Sequence, residues 1–332
     1  PNFRPEGKAD ARLVFTEEVQ NDIWQHQNPS SCEGQQYLQL LPHNDGGLGS
    51  LLHVATVALA CAMQQNAILV YHADYGARFS HGSFCAPDSS NLDCFFMPVS
   101  NCSAYVADSN LTQLPIPLVR KRRLEVPEKW RQRWAETRQT ADLLYWWRAQ
   151  AVSYVARLNP PTSRELITRR LAHAAAGTAP LPLPDDTVSM HVRHGDKAFE
   201  MVLRSWQEHR TRADELAMAR HFEGRTLFLS TEDPEVVTEA RADGTSASKC
   251  LPNPGIPAPL CTDSPRHRVL AFDDLILFSL ENLLLALEAT HFVGSRGSNW
   301  NRLIDELRML WPGDLKSCCA PYAEVGCNPP QH

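Results

Sequence analysis

The sequence has no apolar run long enough to span a bilayer. It lacks the closely spaced C-x2-C pairs of zinc sites and any evident acidic D-x-D pair for a divalent cation. A positive excess is missing too: 32 Lys and Arg against 38 Asp and Glu leave a formal charge of −6. That balance argues against a general nucleic-acid binder. The single basic run, Arg120-Lys121-Arg122-Arg123, reads as a solvated face or an acceptor-side patch. No internal repeat is visible. No hydrophobic leader opens the chain. Its polar start at Pro1 reads as a mature or trimmed form, with an anchor or leader expected upstream.

What is present is ample apolar material. Of 332 residues, 43 % are hydrophobic, which suits two α/β domains of ordinary size. Ten cysteines divide by context. Cys61 falls in an apolar helical stretch and reads as a core thiol. Cys32, Cys85, Cys94 and Cys102 cluster before the middle, Cys250 and Cys261 bracket a Pro-rich loop, and Cys318, Cys319 and Cys327 lie in the tail. Loop-placed pairs nine to eleven residues apart suit disulfides, Cys250–Cys261 foremost. With the sequons Asn101-Cys102-Ser103 and Asn110-Leu111-Thr112 they point to an oxidising, secretory compartment.

Apolar spacing gives the order of elements. Tyr37–Leu41 reads as a strand, Pro42–Ser50 as a glycine-bearing loop, and Leu51–Ala62 as a helix. Such a loop lets backbone N–H groups at Gly47 and Gly49 approach an anion, or it is simply a tight turn. Ala67–Tyr71 is the next strand. Residues 1–35 are polar and poorly periodic, and 72–126 are loop-rich. Pro127–Arg157 has helical character, and Ser163–Ala176 reads as a helix capped at Thr162 or Ser163. The Pro-rich stretch 178–184 marks the expected domain boundary. Beyond it, 226–230 and 291–294 read as strands and 235–242, 274–289 and about 300–310 as helices, with a polar loop at 243–268. The alternation implies a mostly parallel sheet. The tail after about 311 is expected to pack back on the amino-terminal domain.

The chain is organised around Ser189–Met201. Val188, Met190 and Val192 alternate with Ser189, His191 and Arg193, and Gly195 ends the strand. His191, Arg193, His194, Asp196 and Lys197 cluster there, with Glu200 close behind. Open α/β sheets place ligand sites at such strand ends; the plain alternative is a strand end with solvated charges. Arg193 offers a diphosphate a bidentate fork and Lys197 a point charge. Glu200 is a candidate general base. Ser295, Gly297, Ser298 and Asn299 form a second loop before a helix, suited to phosphate oxygens or to a plain N-cap. The loops together point to a nucleoside diphosphate in an interdomain cleft.

The string His191-Val192-Arg193-x-x-Asp196-Lys197 resembles the signature of the α1,6-fucosyltransferases, the core N-glycan and Nod-factor enzymes. Further stretches resemble that family in the same order. They are Gly47-Leu48-Gly49 with His53; Phe95-x-x-Pro98-Val99-Ser100-x-Cys102; Trp146-Trp147-x-x-Gln150-x-x-x-Tyr154-x-x-Arg157; Leu229 to Pro234; and Phe292 through Ser298 to Arg302. The matches run roughly from 36 to 310. The resemblance implies a GT-B-like fold of two facing Rossmann-like α/β domains. Residues 1–180 would form the acceptor side with the glycine loop 46–50, 181–315 the nucleotide-sugar domain, and 316–332 a Cys-rich tail. It implies inverting transfer from GDP-fucose to a glycan or glycoprotein, with GDP as product, no metal or other cofactor, no nucleic acid, and a Golgi-lumen setting in which the membrane is met only through an anchor outside this chain. By position, Arg193 would bind the diphosphate, His191 and His194 would line the nucleotide site, and Ser298 would contact phosphate or nucleoside. Asp196 and Lys197 would order the site, and Glu200 would deprotonate the acceptor.

The sequence also departs from that pattern. His194 stands where the family has a second Arg, so one fixed charge on the leaving diphosphate is expected to be lost. Glu200 is offset by one residue from the family's acid, and Asp273, Asp274 or Glu281 is the candidate acid that meets the base. Three alternatives stay open: another nucleotide sugar on the same fold, a non-catalytic glycan or nucleotide binder, and a histidine phosphatase built on Arg193-His194-Gly195. In the last, His194 would be the nucleophile. It would need a later His with an acidic partner, and His209, His221, His267 and His291 lack the expected neighbour.

Overall fold

Two parallel sheets organise the chain, one in each of two units. The structure is a computed structural model that describes residues 14–43, 46–80, 84–85, 92–103, 111–121, 125–137, 142–175, 182–184, 187–194, 199–220, 227–242, 272–310 and 322–324. The first unit comprises Pro1–Arg164 with Ala271–Ile276, the second Glu165–Leu270 with Leu277–His332. Among the described residues, no helix is long and apolar enough to cross a membrane.

In the first unit, α1 (Thr16–Gln27) precedes β1 (Tyr37–Leu40), α2 (Leu48–Gln64), β2 (Ile68–Tyr71) and β3 (Leu111–Leu114). The sheet order is β2-β1-β3, and Tyr37 faces Ile68 on one side and Leu111 on the other. β1 is buried along its whole length because it is central and parallel. α2 is apolar nearly all round, as a helix covered on most sides must be. The outer edge of β2 is closed by one side chain. The buried Gln27 amide donates to Leu69 O and accepts from Leu69 N, both at 3.2 Å. α3 (Ile116–Lys121), α4 (Glu128–Ala135) and α5 (Leu143–Val155) follow. The helical character expected over 127–157 is thus divided, because Asp142 starts a new helix by accepting from Leu144 N at 2.7 Å. Trp146 and Trp147 are fully buried, and Trp130 and Trp134 pack on Trp146 with ring centroids 6.0 and 4.9 Å away. Two disulfides, Cys32–Cys102 and Cys85–Cys94, staple this unit, while Cys61 is a buried free thiol.

α6 (Pro160–Ala175) starts earlier than the sequence predicts. Asn159 Oδ1 accepts from Thr162 N at 2.9 Å, so the cap is Asn159 with Pro160 at the first helical position. The second unit then runs β4 (Val188–Val192), α7 (Trp206–Arg220), β5 (Leu227–Thr231), α8 (Pro234–Ala242), α9 (Phe272–Glu288), β6 (His291–Gly294), α10 (Asn299–Arg308) and β7 (Tyr322–Glu324). The sheet order is β5-β4-β6-β7, all parallel. Met190 and Val192 of β4 lie in a core with Trp206, Leu229, Val236 and Val293. Buried Arg308 caps the end of α9 by donating to Ala286 O at 2.5 Å, Ala289 O at 2.6 Å and Thr290 O at 3.0 Å. Of the tail, Tyr322–Glu324 is described, and it pairs with β6 and extends this sheet. An apolar edge strand is satisfied most directly by a further strand. Cys250, Cys261, Cys318, Cys319 and Cys327, and the sequon at Asn110, lie outside the described residues. At the other sequon, Asn101 is exposed and its side-chain amide donates to Pro29 O at 3.1 Å.

Candidate functional site

The carboxyl end of β4 lies between the turn that follows β5 and the loop that follows β6, as parallel pairing on both sides requires. Arg193 leaves the strand and its Nη1 donates to Glu232 Oε1 at 2.5 Å. The same oxygen accepts from His194 N at 2.6 Å. Glu232 thus organises both residues. Asp233 does double work: Oδ1 caps α8 through Glu235 N at 2.9 Å, and Oδ2 meets His194 Nδ1 at 2.6 Å. Burial alone would raise the Asp233 carboxyl, but the contacts from His194 and the helix backbone hold it below the usual carboxylate range.

His194 makes a second ring contact as well. Its Nε2 faces Arg204 O at 2.8 Å, so both ring nitrogens face acceptors. Burial works to lower its pKa, but the Arg204 carbonyl and the Asp233 and Glu232 carboxylates raise it above the ordinary histidine value. The same geometry removes the phosphatase reading, because a phosphoryl-accepting histidine must turn a ring nitrogen toward its substrate. His191 differs in kind. It is 6 % exposed, and burial together with nearby Arg193 pushes its ring down to about 3, so it is neutral. His209 on α7 is likewise buried; Nδ1 faces Ser205 O at 2.9 Å, and burial brings its pKa down to about 4.

The β6–α10 loop is tied to β4 by Asn301, whose Nδ2 donates to His191 O at 3.3 Å and Ser295 O at 3.0 Å. Ser298 is the N-cap of α10: its buried hydroxyl accepts from Asn301 N. The side chain thus serves the helix, and what the turn presents to an anion is first-turn backbone N–H. Ser295 is buried, Gly297 is exposed, and Asn299 accepts from Arg302. A Cβ on Gly297 would lie 2.7 Å from Met201 Sδ, so Met201 rests on this loop. That contact brings in the segment carrying Glu200, which is exposed. Gly195, Asp196 and Lys197 lie outside the described residues. Glu281 does not meet this constellation. It pairs with His173 of α6 at 3.0 Å, both buried, and burial raises its carboxyl to about 7. The side chains of Asp273 and Asp274 are outside the description.

In the first unit, Gly47 is the exposed N-cap of α2, and a Cβ there would meet nothing within 4 Å. Gly49 lies inside the first turn of the helix. Gly46 is the constrained glycine: a Cβ would fall 2.4 Å from His43 Nε2 and 2.9 Å from Ser50 Oγ. Among the described residues, no group of three or more His, Cys, Asp or Glu side chains is placed to hold a metal ion.

The sequence signals for the missed residues were weak. Asp233-Pro234 is a helix start, and Ser205-x-x-Glu208 is a capping box that fixes α7. Neither motif names His194 as partner. No family model and no curated protein matches the chain. It is similar to solved fucosyltransferase structures. A NodZ α-1,6-fucosyltransferase soaked with GDP-fucose is 15 % identical, with a TM-score of 0.44 over 84 % of this chain and 93 % of its own. POFUT1 in complex with GDP is 11 % identical, with a TM-score of 0.40 over 88 % and 99 %. A FUT1 mutant of Arabidopsis thaliana in complex with GDP is 10 % identical, with a TM-score of 0.42 over 92 % and 80 %.

Proposed function

We propose that this chain is a fucosyltransferase-like glycosyltransferase of GT-B type. It would transfer fucose, with inversion and without a metal, from GDP-fucose to a hydroxyl of a glycan or glycoprotein in the secretory lumen. The observation that carries this reading is the convergence at the β4 end. Arg193 and His194 stand just past the strand, and Met201 seats the Glu200 segment against Gly297 of the loop that opens α10. Arg193 is the diphosphate clamp, since a guanidinium matches phosphate oxygens bidentately. Glu200 accepts the acceptor proton while the new carbon–oxygen bond forms and the sugar–phosphate bond breaks, the electron pair leaving with the diphosphate. Asp196 and Lys197 order the loop between them, and the α10 turn receives phosphate oxygens. The disulfides of the first unit suit an oxidising lumen.

A thermal-shift panel of nucleoside diphosphates, with and without chelator, tests the reading, because a ligand that binds only the folded state raises its melting temperature. GDP should stabilise the protein and chelator should change nothing. A response to UDP alone discards the fucose assignment. Glu200→Gln should keep the GDP shift and lose transfer by about 10²–10⁴-fold. One observation favours a second reading, binding without transfer: Arg193 already has a carboxylate partner in Glu232. GDP stabilisation with no turnover of GDP-fucose on any glycan would establish that alternative.

A further inference from the structure

The three histidines near the β4 end are not equivalent. A neutral imidazole has one donor nitrogen and one acceptor nitrogen. His194 faces acceptors on both sides: a carboxylate oxygen at 2.6 Å and a backbone carbonyl at 2.8 Å. The carbonyl cannot donate, and Asp233 already accepts from the α8 backbone through its other oxygen. Only the doubly protonated ring satisfies both contacts. Loss of either proton turns a lone pair against an oxygen.

The carbonyl belongs to Arg204, the residue before Ser205, where the capping box starts α7. Upstream, Phe199 to Leu203 is an exposed segment in which Phe199 is 95 % and Val202 72 % exposed. Met201 also rests against Gly297. We propose that His194 is a positioning residue: as an imidazolium it clamps segment 199–205 to the end of β4, and its deprotonation releases that segment together with Glu200. The clamp follows from hydrogen-bond geometry alone. Its consequence for transfer rests on the proposed function, in which Glu200 is the base.

Among the described residues, the charged groups near His194 come from three elements. Asp233 and Glu232 come from the β5–α8 turn and favour the charged ring. Arg193 on its own strand pairs with Glu232, and Arg204 with Glu208 at 3.0 Å. His209 on α7 feels the His194 charge, which helps to keep it neutral.

Ring nitrogen NMR of the whole chain across pH is the direct test. At about pH 7.5 a free histidine is mostly neutral. His194 should lose its second ring proton only at a pH above that of a free histidine, while His191 and His209 already carry one each. Hydrogen-exchange protection of residues 199–205 should fall about tenfold or more as His194 titrates, with protection of β4 unchanged. His194→Arg keeps charge and several donors, so it should retain that protection and remove its pH dependence; His194→Gln should lose it. Transfer should fall on the alkaline side at the same pH as the protection. His194 titrating near the free value, or protection of 199–205 indifferent to its titration, overturns the clamp even where His194→Gln fails to fold. A clamp confirmed by NMR with no GDP response would leave the clamp standing and remove the transferase reading instead.

Discussion

The central strands of the two sheets end in opposite ways. β1 runs out into Pro42, a buried His43 beside Ser50, and the near-neutral cap of α2 at Gly47. β4 runs out into a guanidinium and an imidazole, each facing a carboxylate. The first unit holds itself together with covalent and aromatic means: two disulfides, four clustered tryptophans, and a buried glutamine closing a sheet edge. The second unit commits its best-placed strand end to charge. Partly desolvated charges are tolerable only as pairs, and such pairs add little net stability. Among the described residues, the bridges lie in the unit whose central strand ends in an uncharged loop, and the paired ionisable groups lie at the strand end of the other.

Breaking the staple should have the largest effect. The Cys32–Cys102 bridge spans 70 residues, and closing a loop of that size is worth about 4 kcal/mol by chain entropy. Cys32→Ser with Cys102→Ser should lower the urea midpoint accordingly, while the GDP shift persists in the folded fraction. An unchanged midpoint would show that the first unit does not rely on its bridge. Next comes Arg193→Ala, which leaves Glu232, 14 % exposed at its side chain, without its guanidinium. Transfer should fall by about 10²–10³-fold and the GDP shift should vanish, since one lost charge-stabilising donor has that scale. Retained GDP binding would move the clamp elsewhere.

The pH dependence sharpens the contrast further. His191 and His209 have folded pKa values of about 3 and 4, below the unfolded value of 6.5. Between those limits the unfolded chain binds protons that the folded chain refuses, so stability is full above 6.5 and falls as pH drops. His194 has the opposite sign: its folded value is raised, so its contribution is full below 6.5 and is lost as pH rises through the folded value. Urea midpoints should therefore pass through a maximum, and His209→Gln should flatten the acid side. The smallest effects compare two glycines. Gly297→Ala meets Met201 and should cost about 1 kcal/mol, whereas Gly47→Ala meets nothing and should stay within about 0.5 kcal/mol. Equal costs would mean that Met201 does not seat the Glu200 segment.

Much of this architecture was legible in the sequence because the buried strands are short apolar runs and the helices between them are strongly periodic. β4, β5, β6, α2, α9 and α10 were all readable in that way. The elements that escaped have too little apolar signal. α1 buries Val19, Ile23 and the polar Gln27, a stripe one residue wide. β3 is an edge strand with Thr112 and Gln113 exposed, and β7 has three residues. The Cys85–Cys94 spacing suited a local bridge, but nothing local couples Cys32 to Cys102. At the site, residue types were readable and partnerships were not. His194 looked like a lost charge because its two acceptors, Asp233 and Arg204 O, come from other elements. Ser298 could be read either as a cap or as a ligand group, and its hydroxyl is engaged as a cap.

β7 also bears on how the protein is made. Phe292, Val293 and Gly294 find their outer partners in Tyr322, Ala323 and Glu324. The first unit can close its sheet once Leu114 has left the ribosome, and its long bridge is available from Cys102 onward. The second unit has to wait for residue 324. Until then the outer side of β6 presents an apolar strand with unpaired backbone groups to any neighbouring chain. Biogenesis of the charged half therefore has a late, exposed interval that the stapled half does not share, and it is there that nascent chains compete between folding and association.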